Sequence, residues 1–288
     1  MQRSARLFLV TLAAAAAAST RALAQSISFL QPDRYQLADE GEVAVHVSSR
    51  TAEALRAVAW PARDLDWFYF RTAGTQENID AANALKPGEE FVRLALHEPD
   101  AALIGIDRKP WIEQVSGADL RKFLELDVAP GAMPADWRER SAKETLRVRH
   151  VECAKLFVRM TKTTGEGKDA WKGSATAPSK VGQRSEIRPL TDPTTIALGS
   201  DLPLRIAWAD SASPDVMIVA RQPAAGTRLA TLAKHGAGWF TVNASGEWLV
   251  EVHRAKALTG DPTADWELES ATISFVAPAA AKTAGGGK

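Results

Sequence analysis

Cysteine is nearly absent, since the 288 residues contain only one, Cys153. A lone thiol excludes an intramolecular disulfide and a C-x-x-C redox or zinc pair, so burial must stabilise the fold. The simplest interpretation of Cys153 is a small buried apolar residue. Net charge is absent too, because 35 basic side chains balance 35 acidic ones. That balance gives no sign of a nucleic-acid partner or of an anionic membrane surface.

Long apolar runs are also scarce, and the one near the start is short. Arg3 and Arg6 precede an apolar stretch over residues 7–18, and Ala22-Leu23-Ala24 supplies the small-x-small site that a signal peptidase needs. The stretch has about a dozen residues, whereas a membrane span needs roughly 20. Residues 1–24 therefore indicate a cleaved secretory signal. We expect a periplasmic protein with no transmembrane segment after cleavage.

The first half of the mature chain alternates apolar and polar residues with the period of two that half-buried strands show. In the segment 42–47, for example, three valines share one face. The predicted strands of this half are 42–47, 67–70, 91–97, 102–107 and 154–160. Ser116 can cap a short helix that runs to Leu126. Residues 135–151 give a weaker helix prediction, because their apolar spacing is poor.

The second half follows a stretch, 164–183, that is rich in small and polar residues and lacks periodicity, which indicates a linker or long loop. Beyond it, seven apolar runs alternate with turn signals over about 90 residues, the spacing of an immunoglobulin-like or transthyretin-like sandwich. These predicted strands are 186–190, 202–208, 216–220, 227–233, 239–242, 248–253 and 267–276.

The sequence therefore predicts a mainly β chain with two β-sandwich domains, the second immunoglobulin-like or transthyretin-like, and with one or two short helices in the first. The predicted division follows from the signal, the linker and the small-residue tail. It consists of a signal peptide over 1–24, an N-terminal β-rich domain over 25–163, the linker over 164–183, a C-terminal sandwich over 184–277 and a disordered tail over 278–288.

Catalytic motifs are missing from the sequence. It contains no G-x-S-x-G elbow, no H-E-x-x-H and no S-x-x-K set with its companion motifs. His97-Glu98 is followed by Pro99, which breaks the helix that a zinc protease would need. Gly165-Glu166-Gly167-Lys168 has the wrong spacing for a phosphate-binding loop. We therefore expect a non-catalytic protein; an enzyme would need a cleft with a perturbed titratable pair.

Histidines are the remaining candidates for metal chemistry, because neutral imidazole suits nickel, cobalt, copper and zinc. The five are His46, His97, His150, His235 and His253. By strand phase, His46, His97 and His253 point away from the apolar faces of their strands. A metal site needs two or three rings to converge. For each ring, an ordinary surface histidine is the competing interpretation.

Several short motifs resemble the family known as domain of unknown function 4198, exported proteins described as periplasmic components of cobalt or nickel transport. In the second half they are Leu202-Pro203-Leu204-Arg205-Ile206, Gly238-Trp239-Phe240-Thr241-Val242, Gly246-Glu247-Trp248-Leu249-Val250-Glu251-Val252-His253 and Ala264-Asp265-Trp266-Glu267. In the first half they are Phe29-Leu30-Gln31-Pro32 and Ala154-Lys155-Leu156-Phe157-Val158. The motifs span most of the mature chain.

This resemblance implies a metal-binding accessory of nickel or cobalt uptake that captures Ni²⁺ or Co²⁺ and passes it to a membrane metal transporter. His253, after Trp-Leu-Val, matches the family pattern and is the first candidate ligand, with His46, His97 and His235 as candidate co-ligands. The histidine that family members carry at the mature start is missing here, where the chain reads Gln-Ser-Ile-Ser from Gln25.

Tryptophan supports a second hypothesis, an interaction or carbohydrate-binding sandwich protein without a metal site. The chain has nine tryptophans and only two tyrosines. An aromatic platform could be formed by Trp60, Trp67, Trp111, Trp239 and Trp266. Trp266, in the loop sequence Pro-Thr-Ala-Asp-Trp, is predicted to be the most exposed, and core packing is the competing interpretation for most of them.

Overall fold

The computed structural model describes residues 27–38, 41–50, 55–58, 62–72, 75–86, 89–97, 101–161, 176–210, 212 and 214–279. The predicted signal peptide therefore lies outside the described residues. So do residues 164–175 of the predicted linker and 280–288 of the predicted tail.

The described residues form seventeen strands and three α-helices, which confirms the prediction of a mainly β chain with few short helices. The strands are β1 (Ile27–Pro32), β2 (Gln36–Ala38), β3 (Gly41–Arg50), β4 (Leu55–Val58), β5 (Leu65–Arg71), β6 (Gln76–Asn78), β7 (Val92–Leu96), β8 (Ala101–Arg108), β9 (Trp111–Ser116), β10 (Thr145–Thr161), β11 (Ser185–Pro189), β12 (Ser200–Trp208), β13 (Val216–Gln222), β14 (Thr227–Ala233), β15 (Ala237–Val242), β16 (Gly246–Ala257) and β17 (Trp266–Ala277). The helices are α1 (Ala81–Ala84), α2 (Gly117–Asp127) and α3 (Trp137–Arg140), with 3₁₀ turns at Ala62–Asp64, Pro130–Ala132 and Pro223–Ala225.

The strands form three sheets. The largest has ten strands, in the order β14-β13-β16-β17-β10-β8-β5-β6, with β2 and β9 also paired to β10. A four-stranded sheet contains β1, β3, β4 and β7, and a three-stranded sheet has the order β11-β12-β15. The last seven strands therefore divide into three and four between two sheets, the strand number and division of an immunoglobulin-like sandwich.

Two hydrophobic cores lie against the ten-stranded sheet. One fills the space between it and the four-stranded sheet and includes Val45, Phe68 and Leu156. The other fills the space between it and the three-stranded sheet and includes Ile206 and Val250. The two predicted sandwiches are therefore present, and the ten-stranded sheet is a wall of both.

The ten-stranded sheet joins strands from both halves of the chain. β10 runs parallel to β17, with partners from Val148↔Trp266 to Leu156↔Ser274. A parallel pair needs a long connection, which the intervening chain supplies. Strands on both sides of the predicted linker therefore share one sheet, and the position of the domain boundary stays a prediction.

Helix α2 begins and ends close to its predicted limits. The Ser116 hydroxyl caps it by accepting the backbone N–H of Asp119 at 3.0 Å, and the helix runs to Asp127. The helix predicted over 135–151 is wrong, because only α3 is helical there and β10 follows. Apolar residues alternate with arginines from Leu146 onward, and β9 and β17 supply hydrogen-bonding partners on both sides. Of the helices in the described ranges, none is long and apolar enough to cross a bilayer.

The ring of Tyr69 on β5 lies over Gly105, its opposite neighbour on β8. A Cβ at Gly105 would lie far inside contact distance of the hydroxyl oxygen and the Cζ of that ring. Glycine is therefore required there for the ring to reach its buried position. Burial, followed by the charges of Glu186 and Asp107, raises the pKa of Tyr69 well above its ordinary value.

Gly105→Ala should lower the free energy of unfolding by about 1–3 kcal/mol, because the added methyl group overpacks a filled core. Gly41→Ala is the matched control, since the nearest described atoms to its Cβ would belong to the Leu37 side chain, at 3.4 Å. Urea unfolding followed by tryptophan fluorescence measures both variants. Equal stability of the two variants would contradict the packing argument.

Candidate functional site

The four histidines predicted as metal ligands lie on separate elements. His46 is half-buried on β3, with its ring centroid 5.0 Å from that of Phe91. His97 follows β7 and is exposed, and His235 lies in the exposed turn between β14 and β15. His253 lies on β16. Among the residues with described positions, no three His, Cys, Asp or Glu side chains form a metal-binding group.

His253 lies on the predicted face of β16, but the expectation that it is exposed is wrong. It is fully buried, because Phe123 of helix α2 covers that face with its ring centroid 5.0 Å from the imidazole. Nδ1 and the Ser270 hydroxyl are 2.9 Å apart, and Nε2 lies 3.7 Å from Glu251. A metal ion could reach this ring only if α2 moved.

His150 is fully buried as well, on β10. Its ring stacks on Trp111, with the centroids 4.9 Å and the planes 9° apart, and its Nε2 lies 3.4 Å from Glu113. The interpretation of His150 as an ordinary surface histidine is therefore wrong. The available signal was strand phase, because His150 shares a face with the buried Leu146 and Val148.

Buried charges continue across this face of the ten-stranded sheet, and the fold compensates them. Glu152 on β10 pairs with Arg108 on β8 at 3.3 Å. Burial raises the pKa of Glu152, and Arg108 opposes that shift. Arg221 on β13 pairs with Glu251 at 2.9 Å and with Asp127, the last residue of α2, at 3.2 Å. These ion pairs therefore connect α2 to the sheet, and their role is structural.

The opposite face of β10 carries a buried ion pair. Lys155 Nζ lies 2.6 Å from Glu186 Oε1 and donates to the carbonyl of Ile187 at 3.2 Å. The backbone N–H groups of Val181 and Gly182 each donate to the Glu186 carboxylate at 3.0 Å. Burial acts to raise the pKa of Glu186, but Lys155 and these hydrogen bonds outweigh it and hold that pKa below its ordinary value.

A second set of hydrogen bonds fastens the chain at the start of β11. Gln183 Nε2 donates to Asp107 at 2.8 Å and to the carbonyl of Ile106 at 2.9 Å. Cys153 is buried, as predicted, and its sulfur accepts the backbone N–H of Ser185 at 3.4 Å. Burial, followed by the charge of Asp107, raises the pKa of the Cys153 thiol. The edge strand β11 is therefore held in one position against the ten-stranded sheet.

The side of the three-stranded sheet that faces away from the core is here called the outer face. Alternate residues of β12 and β15 are buried, so the residues between them point outward. The register places Arg188 opposite Arg205 and Pro203 opposite Trp239. Leu190 follows β11 and donates its backbone N–H to the carbonyl of Pro203 at 2.9 Å. These five residues lie on the outer face, which also carries the hydrogen-bonded pair Asp201 and Thr241.

Trp239 is the most exposed large hydrophobic residue of the described chain, with 57% of its surface accessible. The prediction that Trp266 is the most exposed is wrong, because Trp266 is 1% exposed and pairs with β10 and β16 inside the core. Trp67 and Trp111 are half-buried, and Trp60 lies outside the described residues. The structure therefore moves the candidate aromatic contact from the predicted loop to the outer face.

A cleft of about 290 Å³ opens at the arginine end of the outer face. Its lining includes the cations Lys180, Arg188 and Arg205, the carboxylate of Glu186 and the indole of Trp208. Nε1 of Trp208 and Nε of Arg188 are buried donors that have no hydrogen-bond partner within the described ranges. Buried donors are nearly always satisfied in proteins, so an acceptor oxygen that enters the cleft would find these two donors available.

No family model matches this chain, and neither does any curated protein. Among solved structures, murine CEACAM1b is similar at 8% identity over 87% of this chain and 98% of that chain, with a TM-score of 0.20. The fibronectin(III)-like modules of Clostridium thermocellum CbhA match at 8% identity over 86% and 94%, with a TM-score of 0.19. Trypsin-activated alpha-2-macroglobulin from Escherichia coli matches at 9% identity over 90% of this chain and 24% of that chain, with a TM-score of 0.21. Scores this low carry no argument about function.

Lys155→Met should lower the free energy of unfolding by about 3–5 kcal/mol, because it leaves the Glu186 carboxylate buried without its cation. The double variant Lys155→Met/Glu186→Gln should recover much of that loss, since the amide oxygen can still accept the backbone N–H groups. Lys122→Met, at an exposed position of α2, is the control. If Lys155→Met were as stable as this control in urea, the pair would have no structural importance.

Glu186 should also make stability depend on pH. Its pKa is lower in the folded chain than the ordinary value of 4.5, so in the interval between the two values the unfolded chain binds a proton that the folded chain does not. Its contribution is complete above the ordinary pKa and is lost as the pH falls through the folded pKa. Unfolding of wild type and Glu186→Gln from neutral to acidic pH should show a stability difference that shrinks on acidification. The difference between wild type and Glu90→Gln, an exposed site, should not follow that course.

Proposed function

We propose that this chain is an exported, non-catalytic binding protein that binds a saccharide on the outer face of its three-stranded sheet. The observation that supports this most directly is the exposure of Trp239, whose indole lies opposite Pro203 on an open surface instead of in the core. Export to the periplasm rests on the predicted signal peptide of residues 1–24.

An exposed indole suits a sugar ring for physical reasons. The C–H groups on one face of a pyranose pack against the π face of an aromatic ring, and its hydroxyls stay available to polar neighbours. Leu190, which is 43% exposed, and Pro203 extend the apolar surface next to Trp239. Exposed apolar patches rimmed by polar residues mark binding sites on soluble proteins. Arg205 and Arg188 supply such a polar rim on one side.

The accessory role in nickel or cobalt uptake, with a membrane transporter as partner, stays a prediction of the family resemblance. Its best ligand, His253, is buried under Phe123, so metal capture would require α2 to open. Calorimetric titration with Ni²⁺ and Co²⁺ distinguishes the two functions. Binding tighter than micromolar that His253→Ala weakens would favour the metal function over the saccharide function.

Trp239→Ala should weaken saccharide binding by about tenfold or more, because it removes the stacking surface. Native affinity electrophoresis in gels containing galactan, polygalacturonate, dextran or dextran sulfate measures the retardation of each variant. Leu126→Ala is the matched control, since Leu126 is a similarly exposed apolar residue on α2. Equal retardation of Trp239→Ala and wild type, or none of the wild type in any gel, would contradict the proposal.

A further inference from the structure

The outer face carries two arginines in an arrangement that the fold itself does not compensate. Arg188 on β11 and Arg205 on β12 are opposite each other in the register. Like charges in directly opposite positions of an antiparallel pair destabilise it, since their Cβ atoms are about 5 Å apart. Neither guanidinium forms an ion pair with a carboxylate in the part of the chain that the structure describes.

Several other arginines of this protein do have carboxylate partners. Arg149 pairs with Asp261, Arg221 with Glu251 and Arg254 with Glu269. Among the described residues that line the cleft, the carboxylate is that of Glu186, which is already engaged by Lys155 and by two backbone N–H groups. No described carboxylate therefore neutralises Arg188 and Arg205, so an anion from outside the chain can pair with them.

The buried donors of the cleft indicate the same kind of ligand. Trp208 is 4% exposed and its indole Nε1 has no hydrogen-bond partner within the described ranges, and the same holds for Nε of Arg188. An unsatisfied buried donor costs free energy that an acceptor oxygen restores. Lys180 adds a third cation to the lining. Cations and unsatisfied N–H donors together favour a carboxylate or a sulfate, which present several acceptor oxygens on one negative group.

We infer that the saccharide bound by the outer face is acidic, and that its carboxylate or sulfate group enters the cleft between Arg188 and Arg205 while a neighbouring sugar ring stacks on Trp239. This inference rests on the proposed function and specifies its ligand. Arg205 is two residues beyond Pro203, the partner of Trp239, which places the arginine pair about 7 Å along the strand from the aromatic contact. One oligosaccharide chain therefore reaches both.

The test compares acidic polymers with neutral counterparts in affinity gels: polygalacturonate with galactan, and dextran sulfate with dextran. Wild-type protein should bind at least one acidic polymer about tenfold more tightly than its neutral counterpart. That preference should shrink as salt is raised, because ionic contacts are screened. Preference for polygalacturonate identifies the anion as a carboxylate, and preference for dextran sulfate identifies it as a sulfate.

The decisive variant is Arg188→Gln/Arg205→Gln, which should lose the preference and bind acidic and neutral polymers alike. Lys122→Gln/Arg138→Gln removes the same charge from exposed positions elsewhere and should keep it. Arg205 is exposed and Arg188 is half-buried, and thermal unfolding verifies that each variant is folded. An acidic preference that the site variant retains, or that the control variant also loses, would overturn the inference.

Failure of the inference and failure of the proposed function give different results. If the wild type binds neutral and acidic polymers equally and Trp239→Ala weakens both, the inference is overturned and the saccharide function stands. If acidic polymers bind and Trp239→Ala has no effect, both are overturned, because the anion would then bind without the stacking surface. No retardation in any gel also overturns both.

Discussion

The parallel pairing of β10 with β17 is the constraint on which the rest of the structure depends. It joins strands from distant parts of the chain into one ten-stranded sheet, and the two smaller sheets pack against that sheet through separate cores. It also determines which side chains are buried. His150 and Glu152 on β10 lie beside Leu268 and Ser270 on β17, deep within the sheet, and Lys155 on the other face is placed to reach Glu186.

Buried charges divide the molecule into a structural part and a candidate binding part. In the core, Glu152, Glu251 and Glu186 each have a cation within ion-pair distance. Such pairs contribute little net stability, but removing one partner is costly, so they specify how the layers fit together. Lys155 and Glu186 matter most for the candidate site, because they hold the edge strand β11 and with it Arg188.

On the outer face, in contrast to the core, the two arginines have no ion-pair partner among the described residues. There, Arg188 and Arg205 share a register position without a carboxylate partner in the described chain, and Trp239 is exposed although tryptophan usually buries most of its surface. Antiparallel pairing fixes the positions of these residues on the sheet, so the backbone of the site is already in place before a ligand binds. Preorganisation of this kind reduces the entropy lost on binding. The metal site implied by the family resemblance would instead require the covering helix α2 to leave His253.

Local patterns in the sequence were sufficient for the seven strands of the second half, for the cap at Ser116 and for the burial of Cys153, because alternation and capping involve residues that are neighbours in the chain. In the first half they identified β3, β5, β7, β8 and the end of β10 but missed β1, β2, β4, β6 and β9. The same reasoning failed for 135–151, because its helical pattern is weak and β10 pairs with strands on both sides, β9 and β17. It also predicted the direction of His253 but not its burial, since α2, which covers it, is far away in sequence. Tertiary structure alone decided that Trp266 is buried, that Trp239 is exposed and that Arg188 lies opposite Arg205. These outcomes depend on which distant strands pair and in which register, and neither is determined by local sequence.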